Sequence, residues 1–186
     1  MTVRLGNQSW IIGTLCAAAA LVVVLAQQNA RLRETLHDQA PQPRVGDWVP
    51  SYSTTRSDGS LLTLGESTAP QLLYFFQPKC PHCIASEAAI SRVAARLRDS
   101  PSVQFLGVSA APDAELAAYQ QGRSEPFPIA HLDTKKMFSL FRVSAVPTLL
   151  LVDREGTVRY SHAGEVVGEE GASQLLKAID GALVVH

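Results

Sequence analysis

Two thiols stand three positions apart in Cys80-Pro81-His82-Cys83. That spacing suits disulfide exchange, in which a thiolate attacks a disulfide sulfur and a second thiol resolves the mixed disulfide. A helix N-terminus would favour the attacking anion through its unpaired N–H groups. Two intervening residues then place the second sulfur one helical turn away. On this reading Cys80 is the nucleophile, Cys83 the resolving thiol, and Cys80-Cys83 a redox-active disulfide. A Cys-x-x-Cys can also be half of a zinc site. The chain has only one further cysteine, Cys16, inside a hydrophobic segment. No second Cys-x-x-Cys completes a four-sulfur site, and three cysteines do not describe a disulfide framework.

The elements around the pair fit this chemistry. An apolar run, Leu72-Leu73-Tyr74-Phe75-Phe76, precedes it and suits a strand covered on both faces. After it, Ile90, Val93, Ala94 and Leu97 recur at helical spacing from Ile84 to about Arg98, with Arg92, Arg96 and Arg98 on the other side. Asp99-Ser100-Pro101 stops that helix. The chain of 186 residues has room for one domain plus an appendage, and a formal net charge of -1 offers no nucleic-acid surface.

The appendage comes first. No charged side chain occurs from Leu5 to Ala30, and the densest apolar run spans residues 10–26. Uncharged flanks extend it toward the ~30 Å of a bilayer core, and Trp10 suits an interface. A transmembrane anchor is the leading reading, with residues 1–8 as flank, 9–28 as anchor and 29–44 as a stalk and linker containing Pro41 and Pro43. A cleaved secretory signal ending near Val24-Leu25-Ala26 is the alternative. Cys16 reads as inert. Either reading makes export, and an oxidising compartment, plausible. Arg31, Arg33 and Arg44 outweigh Arg4, so a plain positive-inside count would leave the globular part in the cytoplasm.

The domain spans 45–186. A turn at Ser57-Asp58-Gly59-Ser60 between short extended pieces predicts an N-terminal hairpin. Further strands are expected at Val103–Val108, near Ala130-His131-Leu132, at Leu149–Val152 and at Thr157–His162, the last two joined by the turn Asp153-Arg154-Glu155-Gly156. Helices are expected from Pro112-Asp113 to about Gln121, ended by Gly122, from Thr134 to Phe141, and from Glu169 to about Leu183. Pro126-Phe127-Pro128-Ile129 is a rigid connection. Strands alternating with helices give an α/β fold, and the late hairpin makes the sheet mixed.

This order of parts, with the redox motif after a central strand and Val146-Pro147-Thr148 before a hairpin and last helix, resembles the thioredoxin fold. The resemblance implies that Pro147 is cis and lies against the cysteine pair, and that Val146 and Thr148 dock a substrate strand. The 64 positions from Cys83 to Pro147 leave room for a central strand–helix insertion. With the apolar N-terminal segment and the Val45-Gly46-Asp47 start, this is similar to the TlpA-like, redoxin-type, membrane-anchored thiol-disulfide oxidoreductases, over about residues 45–180. That likeness implies a single-pass protein of the bacterial inner membrane with its redox domain in the periplasm, and the charge count yields to it. It implies protein thiol or disulfide partners, a membrane electron donor, a reductase role such as cytochrome c or enzyme maturation, and no cofactor or metal.

Three departures bear on that expectation. Tyr74 stands where thioredoxins carry a buried acid. Ser86, followed by Glu87, stands where TlpA-like reductases often carry a glutamate. The dipeptide Pro81-His82 is the one found in DsbA-type oxidants. An imidazole beside Cys80 would stabilise its thiolate and make the disulfide more oxidising, so a disulfide-donating oxidant is an alternative, as is His82 simply packing on the helix start. Lys79 could add to the thiolate stabilisation or be a surface lysine. Gln77 replaces the threonine that a peroxiredoxin-type peroxidase would want, and Ile84 removes covalent haem attachment. A thioredoxin-like copper-delivery protein, with His131 or His162 as a nitrogen ligand, is the competing non-enzyme reading. A static disulfide module is disfavoured, because so short a loop removes little unfolded-chain entropy.

Overall fold

Every side chain of one central strand is buried, and the rest of the domain is arranged on its two sides. In a computed structural model, residues 6–39, 42–56, 59–98, 100, 102–121 and 127–184 are described. Arg4, Pro41, Ser57, Asp58, Asp99, Pro101, Gly122 and Pro126, each given a place above, lie outside them. The chain divides into an N-terminal helical unit and a second unit holding every other element.

The first unit is one helix, α1 (Gly6–Gln39). Its segment Trp10–Asn29 has a mean hydropathy of 2.2 over 20 residues. At about 1.5 Å per residue this matches the ~30 Å of a hydrocarbon core.

The second unit begins with a hairpin of β1 (Tyr52–Thr55) and β2 (Leu61–Leu64), antiparallel with Tyr52 opposite Leu64. Gly59 takes φ 82°, and its amide donates to Arg56 O at 3.0 Å, closing the connection where a side chain would be strained. The central sheet has the order β5-β4-β3-β6-β7, from β3 (Gln71–Phe75), β4 (Gln104–Ser109), β5 (Ile129–His131), β6 (Thr148–Val152) and β7 (Val158–Ala163). β3, β4 and β5 are parallel, and β6 runs antiparallel to both of its neighbours, β3 and β7.

Alternation along β3 creates two cores. Leu72, Tyr74 and Phe76 join Ile90 and Val93 of α2 (Pro81–Leu97) and Leu175 and Ile179 of α5 (Gly168–Val184). Leu73 and Phe75 join Leu62 and Leu64 of the hairpin and Met137 and Phe141 of α4 (Thr134–Phe141). Both faces are therefore covered, as the apolar run predicts. The remaining helix is α3 (Asp113–Gln121), whose Leu116 reaches the first core.

Helix α2 begins at Pro81, not at Ile84. Proline suits that place, because the first helical amide has no intrahelical acceptor and φ is already helical. The late turn is set by Asp153, whose Oδ1 accepts from the amides of Glu155 (3.1 Å) and Thr157 (2.7 Å).

Candidate functional site

The site is built where β3 hands the chain to α2. Phe76 N donates to Val108 O at 3.0 Å, so sheet pairing holds the chain up to the loop before the motif. Cys80 N then donates to Gln77 O (3.1 Å), and Ile84 N to Cys80 O (2.9 Å). Cys80 is the N-cap residue of α2, with extended backbone (φ −74°, ψ 123°) and a half-buried side chain. Its sulfur thus stands at the positive end of the helix dipole. Cys83 lies one turn in, only 4% exposed, within the first core.

Both cysteines are free thiols. Burial pushes the Cys83 thiol up to about 12, and hydrogen bonding to Cys80 adds to the rise. A backbone hydrogen bond from Gln77 and the hydroxyl of Tyr74 oppose it. Tyr74 is fully buried and stacks on Phe76, with ring centroids 5.1 Å apart. So the position that holds an acid in thioredoxins here brings a neutral phenol to the second sulfur.

The loop entering β6 faces the first sulfur. The Val146–Pro147 peptide is cis. The Cys80 thiol donates to Val146 O at 3.8 Å. Pro147 is buried and its carbonyl accepts from Gly164 N at 2.9 Å. Thr148, 3% exposed, donates its hydroxyl to Ala145 O at 2.8 Å. Structure therefore gathers Cys80, Cys83, Val146 and Pro147 in one place, with Thr148 as an inward support of the loop.

His82 does not take Cys80 as its hydrogen-bond partner. Its Nδ1 meets a carboxylate oxygen of Glu165, in the loop after β7. Ser86 fixes that loop: its buried hydroxyl donates to His82 O (2.9 Å) and accepts from Val166 N (3.0 Å). Lys79 is likewise engaged, with Glu115 of α3 at 2.7 Å. Glu87 is half-exposed one position past Ser86. Glu165, Glu115 and the bridging role of Ser86 have no signal in the sequence near the motif, since Glu115 and Glu165 approach only through the fold.

Exposed apolar side chains stand on the elements that build the site: in α2, in α4 and just before α5. Ile84 is 55%, Phe138 49% and Val167 58% exposed. A groove of about 360 Å³ runs beside the motif, lined by Gln77, Met137, Phe138, Val143 and Val146 among others. Among the described residues no group of three His, Cys, Asp or Glu could hold a metal ion. His131 is an exposed residue of β5, and His162 Nε2 lies 3.4 Å from Glu165 O. Cys16 is exposed on α1.

The sequence model of the AhpC/TSA family matches residues 45–161. The methylamine utilization protein MauD of Methylobacillus flagellatus is 27% identical over 158 residues, 79% of this chain and 73% of that protein. A thiol:disulfide interchange protein DsbE homolog of Paracoccus denitrificans is 23% identical over 154 residues, 80% of this chain and 83% of its own length. A Chlorobium tepidum crystal structure, assigned as thiol:disulfide interchange protein DsbE, superposes with a TM-score of 0.64 at 21% identity, over 76% of this chain and 99% of that one. The expected thioredoxin-like α/β fold with its mixed sheet is borne out.

Proposed function

Because this chain belongs to the AhpC/TSA family, we propose that it exchanges disulfides with partner proteins through Cys80 and Cys83. Its class is that of the redoxin-type thiol-disulfide oxidoreductases, an enzyme of the DsbE and MauD kind. The observation that carries the residue assignment is the placement of the Cys80 sulfur, at the N-terminus of α2 and against Val146 O, with Cys83 buried one turn behind.

The chemistry follows from that placement. The Cys80 thiolate attacks a disulfide sulfur of the partner, forming a mixed disulfide and releasing one partner thiolate. Cys83 loses its proton and attacks the Cys80 sulfur, releasing the second partner thiolate and leaving Cys80-Cys83 oxidised. Two electrons have passed to the partner. A membrane electron donor returns them. Val146, Pro147 and Thr148 form the docking edge, and the exposed apolar side chains guide a protein in place of a small molecule. No cofactor takes part.

Residues 9–28 anchor the chain, 29–44 form the stalk, and 45–186 carry the redox domain. The domain sits in the periplasm on the bacterial inner membrane and acts as a reductase in the maturation of a cytochrome or enzyme. The length and mean hydropathy of Trp10–Asn29 support the anchor.

Trapping in cells tests this reading. Cys83→Ser should accumulate mixed disulfides with partner proteins, and Cys80→Ser should accumulate none and lose exchange. Full exchange by the Cys80→Ser protein would refute the assignment. The reduction potential fixes direction: roughly -270 mV, as in thioredoxin, marks a reductase, and about -120 mV marks an oxidant.

A further inference from the structure

Each basic side chain that flanks Cys80 is matched by a carboxylate from another part of the fold. Lys79 precedes the nucleophile and its Nζ lies 2.7 Å from Glu115 Oε2. His82 follows it by two positions, and its Nδ1 meets Glu165. The two carboxylates come from separate elements of the fold. Glu115 is in the first turn of α3, and Glu165 lies between β7 and α5.

The second pairing is braced by buried structure. Ser86 is 0% exposed, and its one hydroxyl bridges the carbonyl of His82 to the amide of Val166. The backbone next to Glu165 is thereby tied to the backbone of His82. Unpaired, Lys79 and His82 when protonated would attract a thiolate at Cys80, favour the reduced form of the pair and make its disulfide a stronger oxidant. Paired, each cation's field is opposed by a negative charge at hydrogen-bond distance. The Cys80 thiol meanwhile has a neutral acceptor, Val146 O.

We propose that Glu115 and Glu165 are positioning residues that cancel the cations flanking Cys80 and hold the Cys80-Cys83 pair toward the reducing end. The motif dipeptide alone points to an oxidant. The carboxylates supplied by the fold oppose that bias. This rests on the reading of Cys80 and Cys83 as a redox couple, and it names groups that adjust the potential of that couple.

The effect should be modest, because Lys79 and His82 are well exposed and exposed ion pairs contribute little. The test equilibrates the full chain in detergent micelles with glutathione from pH 6.0, where an ordinary imidazole is largely protonated, to pH 8.0, where more of the thiolate that these charges act on is present. Removing both charges in Glu115→Gln/Glu165→Gln should raise the equilibrium preference for the reduced pair by up to about three- to fivefold, which is about 15–20 mV, with the shift growing as pH rises and Cys80 ionises. Removing the cations in Lys79→Gln/His82→Gln should move it the other way. The quadruple variant should return close to wild type. All shifts should shrink at 0.5 M salt, which screens exposed charges and leaves a purely steric effect in place.

An unchanged or lowered potential in the double glutamate variant overturns the inference, as does a shift indifferent to salt. If the wild type shows no two-electron couple at all, the function itself is refuted. A normal wild-type couple with unmoved variants refutes only the role of the carboxylates.

Discussion

The Cys80 thiol donates to the carbonyl oxygen of Val146 at 3.8 Å, across the loop that leads into β6. The two residues are 66 positions apart and meet because β3 and β6 are antiparallel neighbours, with Phe75 opposite Thr148. β3 leads into the loop before Cys80, and β6 begins directly after Val146 and Pro147. An extended partner segment pairing along Val146 would therefore deliver its sulfur to Cys80 without further movement of the sheet.

The two thiols should differ sharply toward alkylating reagents. Cys83 is 4% exposed and burial holds its thiol at about 12, whereas Cys80 is half-buried at the helix end. At pH 8 only about one Cys83 in 10⁴ would be thiolate, and the thiolate is the species that reacts. Iodoacetamide should add one carbamidomethyl group to the folded dithiol domain, at Cys80, and a second only after denaturation. Peptide mapping by mass spectrometry reads this directly, and equal labelling of both would contradict the site as described.

The same shift makes stability depend on pH. The Cys83 thiol ionises near 9 when unfolded and near 12 when folded. Between those values the folded state holds a proton that the unfolded state has released. Stability is therefore lost as pH rises through this window. From pH 8 to pH 10 the contribution is roughly 1 kcal/mol. Denaturant midpoints of the dithiol protein should fall over that range by more than those of Cys83→Ala, and equal falls would show that Cys83 titrates normally.

Gly107 of β4 has no room for a side chain. A Cβ there would sit 2.7 Å from Phe127 Cε2, 3.1 Å from Phe76 Cε1 and 3.2 Å from Ile129 Cγ1. Phe76 and Phe127 are buried, with ring centroids 6.2 Å apart in an edge-on arrangement. Overpacking of this kind costs about 1–3 kcal/mol. Gly107→Ala should lower the denaturant midpoint accordingly. Because Phe76 leads directly into the motif loop, the variant should also slow disulfide exchange. An unaltered midpoint would mean that the aromatic cluster has slack.

Much of this architecture is written locally in the sequence. The run Leu72–Phe76 has the composition of a strand buried on both faces, and the helix from Thr134 to Phe141 carries its own cap, Asp133, whose side chain accepts from Lys136 N. The spacing of Cys80 and Cys83 carries its chemistry openly. What surrounds the sulfurs was not legible, because it depends on long-range register. Expecting His82 to serve Cys80 uses only their nearness in the chain. Its actual partner, Glu165, is 83 positions away and arrives on a loop after β7. Ser86 reads as a missing glutamate, yet it ties that loop to α2 through a buried hydroxyl. Such roles require the packed sheet.

Ser86→Ala should expose that tie. Removing the hydroxyl leaves Val166 N without its acceptor in a buried setting, and such orphaned groups cost about 1–3 kcal/mol. The variant's denaturant midpoint should drop by that amount, and amide exchange at Val166 should accelerate while the amides of β3 stay protected. Ser86→Thr retains the hydroxyl and should lose less if its methyl is accommodated. Unchanged exchange at Val166 would show that another acceptor replaces Ser86.

Tyr74 tests whether the resolving thiol is tuned from behind. Its hydroxyl is the side-chain group that opposes the burial-driven rise of Cys83, while its ring stays stacked on Phe76. Tyr74→Phe keeps the ring and removes the donor. Cys83 should then move further above about 12, and the resolving step should slow, because its rate depends on the thiolate fraction. One net hydrogen bond is worth about 1 kcal/mol, or roughly a fivefold slower collapse of the mixed disulfide. Rapid acid quenching of the reduced protein with a peptide disulfide, followed by mass spectrometry, measures that lifetime. In the proposed exchange the first attack is made by Cys80, for which Tyr74 is no partner, so its rate should hold. A variant slowed equally in both steps would point to a general loss of packing, and one slowed in neither would leave the phenol as a filler of the core.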